Sequence, residues 1–519
     1  MTAHAERAMI GGGELGRCPT RIHHDRFTEA EHAPDPVAQR RIEDGRRWER
    51  TVVDRLLDGS DASLVHAPTD LVDRSRPVTI ASHVPAAERE AITRELLRAG
   101  VPLIVGGRLA QPSTRSVGAP DVIVRLNDGY APIDVKHHKV VGARGIPARA
   151  TPLDRLTDTG GARTAFRTAR VNDLLQVAHY WSLLDDAGCA TPRKLVGVIG
   201  SDPQSVCLWT ELDAGRPSIA ARYRDALDAA VRVVDAGGAN PAQPLVPAMW
   251  RGECRACPWA PLCRAELEAA DHVSLLRAVT PDAALRLEVA GVSTTSEIGE
   301  MSDASLLSLE VPTEARIQAR ARSAGAMIRR RDADLTLPSA SVEIDFDVET
   351  HRGLLYLAGL LTTDGDGARF EPIADWSGTV DGERRVVTEL FDFFDRVAGQ
   401  DAVVYHWTSY ERTVLRAAAE RHGLALRSAS SVDTWFDRHA VDLHGWVKHR
   451  FVSPDGYSLK AIAPLCGFAW RDADPGGAQS ELWYEDLLAG DDSQRLRLLA
   501  YNEDDVAAQL AIRRWVAAQ

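Results

Sequence analysis

Apolar and polar positions alternate in two distinct ways along the first 275 residues. Short apolar runs bounded by turn residues, VPLIVGG (101–107), DVIVRL (121–126), APIDVKH (131–137) and KLVGVIG (194–200), predict strands. RRIEDGRRWERTVVDRLL (40–57) and VNDLLQVAHYWSLLDD (171–186) predict helices, so this part has a mixed α/β order with adjacent strands in its middle. From about 276 to 335 the pattern turns helical with short polar breaks. TPDAALRLEVAGVSTTSEIGEMSDASLLSL predicts a pair of small helix–turn–helix hairpins with Gly291 at a turn. The polar stretch DADLTLPSA (332–340) reads as a linker. Beyond it, SVEIDFDVET alternates strictly and predicts a strand, with a second at DAVVYHW (401–407) among helical stretches.

At 519 residues the chain exceeds what one core usually supports, so two or three domains are expected. No uninterrupted apolar run approaches the ~20 residues that span a bilayer, and the start has no basic-then-apolar leader. A cytoplasmic protein without a membrane partner is the expectation. The net charge of −13 argues mildly against a non-specific polyanion binder. It leaves a nuclease open, because metal-holding carboxylates themselves add negative charge. No GxxxxGK[ST] loop is present, which disfavours an NTP-driven motor in this chain.

The first candidate chemistry lies in GAPDVIVRLNDGYAPIDVKHHK. Asp134 and Lys136 are i and i+2 on one strand and share a face, and a hairpin brings Asp121 alongside. Two carboxylates can hold Mg²⁺ or Mn²⁺, and the lysine can orient water and stabilise charge on phosphate. Gln176 and Tyr180 lie i, i+4 on one helix face, and Glu49 in the early helix is a further candidate ligand. Cys254, Cys257 and Cys263 follow C-x2-C-x5-C, and Cys18 stands far upstream. Four thiolates suit tetrahedral zinc or an iron–sulfur cluster, and spacing alone does not choose. Cys189, Cys207 and Cys466 have no such grouping and are expected in the core.

These residues resemble the PD-(D/E)xK core of RecB-like nucleases, with Asp121 as first carboxylate, Asp134-Val135-Lys136 as D-x-K, and Gln176/Tyr180 as Q-x-x-x-Y. One cysteine before the core and three after it resembles the iron–sulfur members of that family, including CRISPR-associated exonucleases and the AddB nuclease domain. The resemblance implies a [4Fe–4S] clip on Cys18, Cys254, Cys257 and Cys263, with zinc as the alternative.

The second candidate site begins with the alternation in SVEIDFDVET. Val342, Ile344, Phe346 and Val348 share one face; Glu343, Asp345, Asp347 and Glu349 share the other. Such a row repels itself unless cations neutralise it, and divalent metals would do so. Glu411 follows the strand at 401–407, and Tyr501 and Asp505 lie i, i+4 near the C-terminus. Asp347, Glu349, Glu411, Tyr501 and Asp505 resemble the tyrosine-bearing DEDD exonuclease signature. That implies an RNase H-like fold, two metal ions and a tyrosine-oriented water. Glu411 replaces the usual aspartate, Asp345 and Asp504 compete with Asp347 and Asp505, and Asp442 reads as a supporting residue or helix cap.

Together the blocks resemble a bacterial family of RecB-like nucleases. The expected architecture is α/β multidomain: a restriction-endonuclease-like PD-(D/E)xK domain (1–275), a helix-hairpin-helix-like module (276–335) and an RNase H-like 3′–5′ exonuclease domain (341–519). The resemblance implies a DNA exonuclease or end- and flap-processing nuclease of repair or recombination, acting on single-stranded or ended DNA. Some relatives continue into a superfamily 1 helicase, so a motor would come from a separate partner. Two alternatives stand beside it: one active site with the other degenerate and strand-binding, or a non-catalytic iron–sulfur or zinc adaptor.

Overall fold

The computed structural model describes residues 9–29, 36–58, 62–67, 70, 73–159, 163–168, 170–473 and 476–519. Residues 1–8, part of the segment expected to lack a leader, lie outside the described residues. The chain divides into two compact units, Met1–Ala248 with Cys257–Trp259, and Met249–Ala256 with Ala260–Gln519. The helical stretch at 276–335 falls inside the second unit.

In the first unit, β1 (Ser63–Val65), β2 (Val78–Ile80), β3 (Leu103–Val105), β4 (Val122–Leu126), β5 (Gly129–Val135), β6 (Ile146–Pro152), β7 (Arg163–Thr168), β8 (Leu195–Ile199) and β9 (Val206–Glu211) form one mixed sheet. Their order is β7-β6-β9-β8-β5-β4-β3-β2-β1. β4 and β5 are an antiparallel hairpin with Val122 opposite Ile133, and β8 runs parallel to β5 with Val198 beside Asp134. A parallel pair needs a long crossover, and helix α2 (Val171–Asp186) lies within this one. Strand alternation supplies both faces with apolar residues. On one face Val122, Val124, Ile133 and Leu195 meet Val52 of helix α1 (Pro36–Leu57). On the other, Val196 and Val198 meet Val177 and Ala178 of α2. The D-x-K strand is thus clamped between two helices.

In the second unit, after a helix at Ala260–Ala269, come short helices α3 (Pro281–Val289), α4 (Thr295–Glu300), α5 (Asp303–Ser308) and α6 (Glu314–Ala324). Thr280, Thr294 and Ser302 start the first three by accepting a backbone N–H three residues on. Gly291, at φ +81°, makes the turn after α3. Leu287, Ile298, Leu306 and Ala315 close a small core. The basic stretch 316–331 is used in ion pairs, Arg316 with Asp303, Arg322 with Glu268 and Asp455, and Arg330 with Glu314. The 332–340 segment is not a free linker. Leu335 and Leu337, one strand repeat apart, pack with Trp407, Trp446 and Phe451, and the Tyr405 hydroxyl donates to the Pro338 carbonyl.

After it, β10 (Val342–His351), β11 (Leu354–Asp364), β12 (Gly367–Ala374), β13 (Ala402–His406) and β14 (Ala440–Asp442) form a sheet in the order β12-β11-β10-β13-β14. β11 pairs antiparallel with β10, and β13 pairs parallel with it. Ile344, Phe346 and Val348 meet helix α7 (Val380–Val397) and helix α8 (Tyr410–His422) through Leu390, Phe394 and Leu415. The acidic face is covered by the C-terminal helix α10 (Ser493–Ala517), which follows α9 (Gly477–Leu488). Its buried residues 498, 501, 505, 508, 512 and 516 recur at helical spacing.

Candidate metal centres

The four carboxylates on β10 have two fates. Arg513 of α10 is ion-paired with Asp345, its Nε 2.9 Å from Oδ1 and Nη2 2.7 Å from Oδ2, and it also contacts Glu343. Half the row is therefore neutralised by a guanidinium rather than by metal. Asp347 and Glu349 have no arginine partner among the described residues. Their oxygens and one from Asp505 on α10 lie within 4.8 Å of one another, close enough to share a cation.

Burial first, then Asp505 and the neighbouring carboxylates, push Asp347 well above the ordinary aspartate range. The same causes, burial and then Asp505, push Glu349 up to about 8. Two acids that hold their protons this tightly, Asp347 and Glu349, are the electrostatic complement of an absent positive charge. Each of the three carboxylates is also oriented. Asn502 Nδ2 donates to Asp347 Oδ2 at 2.8 Å, Ser480 Oγ donates to Glu349 Oε2 at 2.9 Å, and Trp470 Nε1 donates to Asp505 Oδ1 at 2.7 Å. Lys460 is ion-paired with Asp505 and sits 4.6 Å over the Tyr501 ring. Burial, then the charges of Glu349 and Asp505, raises the Tyr501 pKa, so the phenol stays protonated.

Glu411 is buried at the start of α8 but lies outside that three-carboxylate group. Its charge still reaches Asp347, and burial raises its own pKa while His406, 3.5 Å away, opposes the shift. The turn that delivers it is strained: Thr408, a β-branched residue, has φ +79°. Asp442 caps the helix Leu443–Arg450 by accepting from Gly445 N–H at 2.9 Å. Asp504 is taken by Arg471, whose Nε lies 2.8 Å from it.

The first unit assembles a second network. Asp121 Oδ2 accepts the Val135 N–H at 2.6 Å, which ties the first carboxylate to the D-x-K strand. Lys136 is ion-paired with Asp134 and donates to Gln176 Oε1 at 2.8 Å. Gln176 Nε2 lies 3.2 Å from Asp134 Oδ1 and 2.8 Å from the Tyr180 hydroxyl. Burial, then Asp134 and Glu49, pushes Asp121 up to about 8. Burial also raises Asp134 against the pull of Lys136, and raises Glu49 with help from Asp134. Burial penalises the Lys136 ammonium, but Asp134, Asp173 and Asp121 outweigh it and keep the lysine charged.

Sequence patterns missed several of these neighbours. Asp173, three residues before Gln176 on α2, bonds His138 Nε2 at 2.8 Å and adds to the field on Lys136; helical spacing from Gln176 was the available signal. Lys460 lies in DGYSLKAIAPLCGF (455–468), where the sequence patterns assigned no residue. Ser480 and Trp470 carried no local signal, and Asn502 only its position beside Tyr501.

Cys18 and Cys257 belong to the first unit, Cys254 and Cys263 to the second. No disulfide joins any of the seven cysteines. Among the described residues, Asp347, Glu349 and Asp505 form the group with metal-ligand spacing. Cys207 is buried, while Cys189 and Cys466 are half-buried.

Residues 344–517 match the family model described as RNase_H superfamily, so the C-terminal part is similar to RNase H-like domains. No curated protein and no solved structure matches the chain. Among the described residues no helix is long and apolar enough to cross a membrane.

Proposed function

We propose that this chain is a metal-dependent nuclease, with an exonuclease centre at Asp347, Glu349 and Asp505 and a RecB-like centre at Asp121, Asp134 and Lys136. The observation that carries the proposal is the convergence of three carboxylate oxygens within 4.8 Å, from the half-buried Asp347 and the buried Glu349 and Asp505, inside the segment that matches the RNase_H superfamily. Mg²⁺ or Mn²⁺ on these oxygens would supply Lewis acidity and a water acidified toward hydroxide. The protein's own groups do the rest. Ser480 and Asn502 fix the carboxylate rotamers. The protonated Tyr501, one helical turn before Asp505, orients the attacking water, and the Lys460 ammonium beside it offsets charge that develops on the phosphate. Glu411, with the pull of His406 on it, serves as a further ligand.

In the first unit Asp121 and Asp134 bind the cation, with Glu49 facing them. Lys136 carries the positive charge that meets the phosphate, and Gln176, braced by Tyr180, holds Asp134 and Lys136 together. The substrate is DNA with a free or single-stranded end, degraded 3′ to 5′ at the second centre during repair or recombination, with a separate helicase supplying strands. The [4Fe–4S] clip on Cys18, Cys254, Cys257 and Cys263 rests on cysteine order alone. A visible charge-transfer band that disappears in Cys257→Ser is the expected sign of the cluster.

The test is anaerobic purification followed by Mg²⁺- or Mn²⁺-dependent digestion of linear and circular single strands by wild type, Asp134→Ala, Asp347→Ala and the double variant. Each single variant is expected to lose one component of the activity and the double variant both. Activity that survives in the double variant removes these residues from the chemistry.

A further inference from the structure

The structure assigns a second nucleic-acid contact to the second unit: a basic pocket that holds backbone phosphates of the strand away from the scissile bond. It rests on the nuclease proposal for the identity of its ligand. The pocket has a volume of about 630 Å³, large enough for a nucleotide rather than a lone phosphate. Arg251, Arg255, Arg264 and Arg277 line it, against one lining carboxylate, Asp455.

These arginines are not equivalent. Arg264 is held by Glu268 and by Asp455 at 3.3 Å, and its guanidinium lies 5.0 Å over the Trp250 ring. Asp455 is claimed again by Arg322 at 2.9 Å. Arg251 stands 3.8 Å from Glu253. Arg255 and Arg277 are exposed and have no carboxylate within 4 Å among the described residues. Two guanidiniums with open donors in a cavity whose only carboxylate is already spoken for favour an anion. The wall also includes Thr280 and Pro281, the start of the nine-residue helix α3, whose N-terminal N–H groups and dipole add to the same preference.

The pocket's place in the chain identifies the anion. Its lining ends at Ser458, and Lys460, two residues on, is the lysine paired with Asp505. Two residues of chain reach at most about 7 Å. A strand whose terminal phosphodiester lies at Asp347, Glu349 and Asp505 therefore brings phosphates to the pocket within a few nucleotides, at about 3.4 Å each when stacked. The ligand is single-stranded nucleic acid, held by its backbone and without base selection.

The probe is a fluorescent oligothymidylate, titrated onto the full chain in EDTA across a salt series and competed with inorganic phosphate and a mononucleotide. The paired substitution Arg255→Glu with Arg277→Glu is compared with Arg255→Gln with Arg277→Gln, and thermal melts check that both fold. Charge reversal is expected to weaken strand binding on the order of ten-fold at low salt. It should also flatten the salt dependence by about 0.7 per lost phosphate contact. Mn²⁺-dependent hydrolysis of bis(4-nitrophenyl) phosphate, too small to reach the pocket, should be unchanged. The inference fails if strand affinity and salt slope do not move, if wild type binds no strand, or if inorganic phosphate competes as well as the strand. Should the small diester resist wild type while charge reversal still weakens strand binding, the nuclease proposal falls and the pocket stands.

Discussion

Asp345 and Asp347 lie one strand repeat apart on β10, and their neighbours give them opposite work. Asp345 is fully buried against Arg513, and burial pushes its carboxyl up to about 6 even though the guanidinium opposes the shift. Removing it leaves a buried guanidinium with Glu343 alone, so Asp345→Ala should cost about 3 kcal/mol of stability while metal binding by the remaining carboxylates persists. Asp347→Asn removes one of three mutually repelling acids. It should keep or raise the melting temperature and abolish metal-dependent stabilisation, a contrast read by melts with EDTA and with Mn²⁺. The pH dependence follows from Glu349, whose folded pKa of about 8 lies above its ordinary value of 4.5. A raised folded pKa means the folded state holds the proton more tightly. This contribution to metal-free stability is complete below about 4.5 and is lost as pH rises through about 8. Metal competes with the proton for the same oxygens, so the gap in melting temperature between Mg²⁺ and EDTA samples should widen from pH 5.5 to 8.5. A gap that is flat with pH would place the metal elsewhere.

At the scale of elements, the second centre depends on how closely α10 approaches the sheet. Gly359 on β11 stands opposite Asp347, and a Cβ there would collide with the Asn502 amide that orients Asp347. Gly359→Ala should therefore cost about 1–3 kcal/mol and lower second-centre turnover more than its stability loss explains, as measured by single-turnover digestion beside a melt. In the first unit, α2 plays the corresponding part through Gln176. Gln176→Ala should lower the Asp134-dependent activity about 10- to 100-fold with the fold intact, assayed in the Asp347→Ala background. These elements explain what could be read in advance. The alternation of β10, the β4–β5 hairpin and the i, i+4 pairs Gln176/Tyr180 and Tyr501/Asp505 are local, so their spacing alone places side chains on a common face. What lies across that face is not local. Arg513 reaches Asp345 over 168 residues of chain, which is why the row itself did not show that Asp345 and Glu343 are paired with an arginine. Ser480 and Trp470 arrive in the same long-range way, and the strained turn at Thr408 that sets Glu411 apart from the triad has no signature in the strand before it.

Across the whole molecule, the sequence patterns marked a boundary at 341, whereas the chain divides near 249 and 260. The reason lies in what the segment before β10 touches. Ile328 and Arg329 form a short antiparallel pair with Val452 and Phe451, and Gln318 Nε2 donates to the Pro454 carbonyl at 3.0 Å. Leu335 and Leu337 add apolar area to the cluster around Trp407 and Phe451. All of these contacts converge on residues 451–455, directly before the loop that carries Lys460. The helical stretch is therefore a wall of the RNase H-like unit rather than a tethered module. It follows that a fragment of residues 341–519, although it holds every ligand of the second centre, exposes that apolar cluster and loses the strand pair. A fragment of residues 249–519 keeps both. The longer fragment should melt in one cooperative transition and be stabilised by Mn²⁺. The shorter should be insoluble or melt without a sharp transition, with weakened metal stabilisation because the 453–460 loop is no longer braced. Equal melting temperatures and equal metal responses for the two fragments would show that the helical stretch is a separate domain after all.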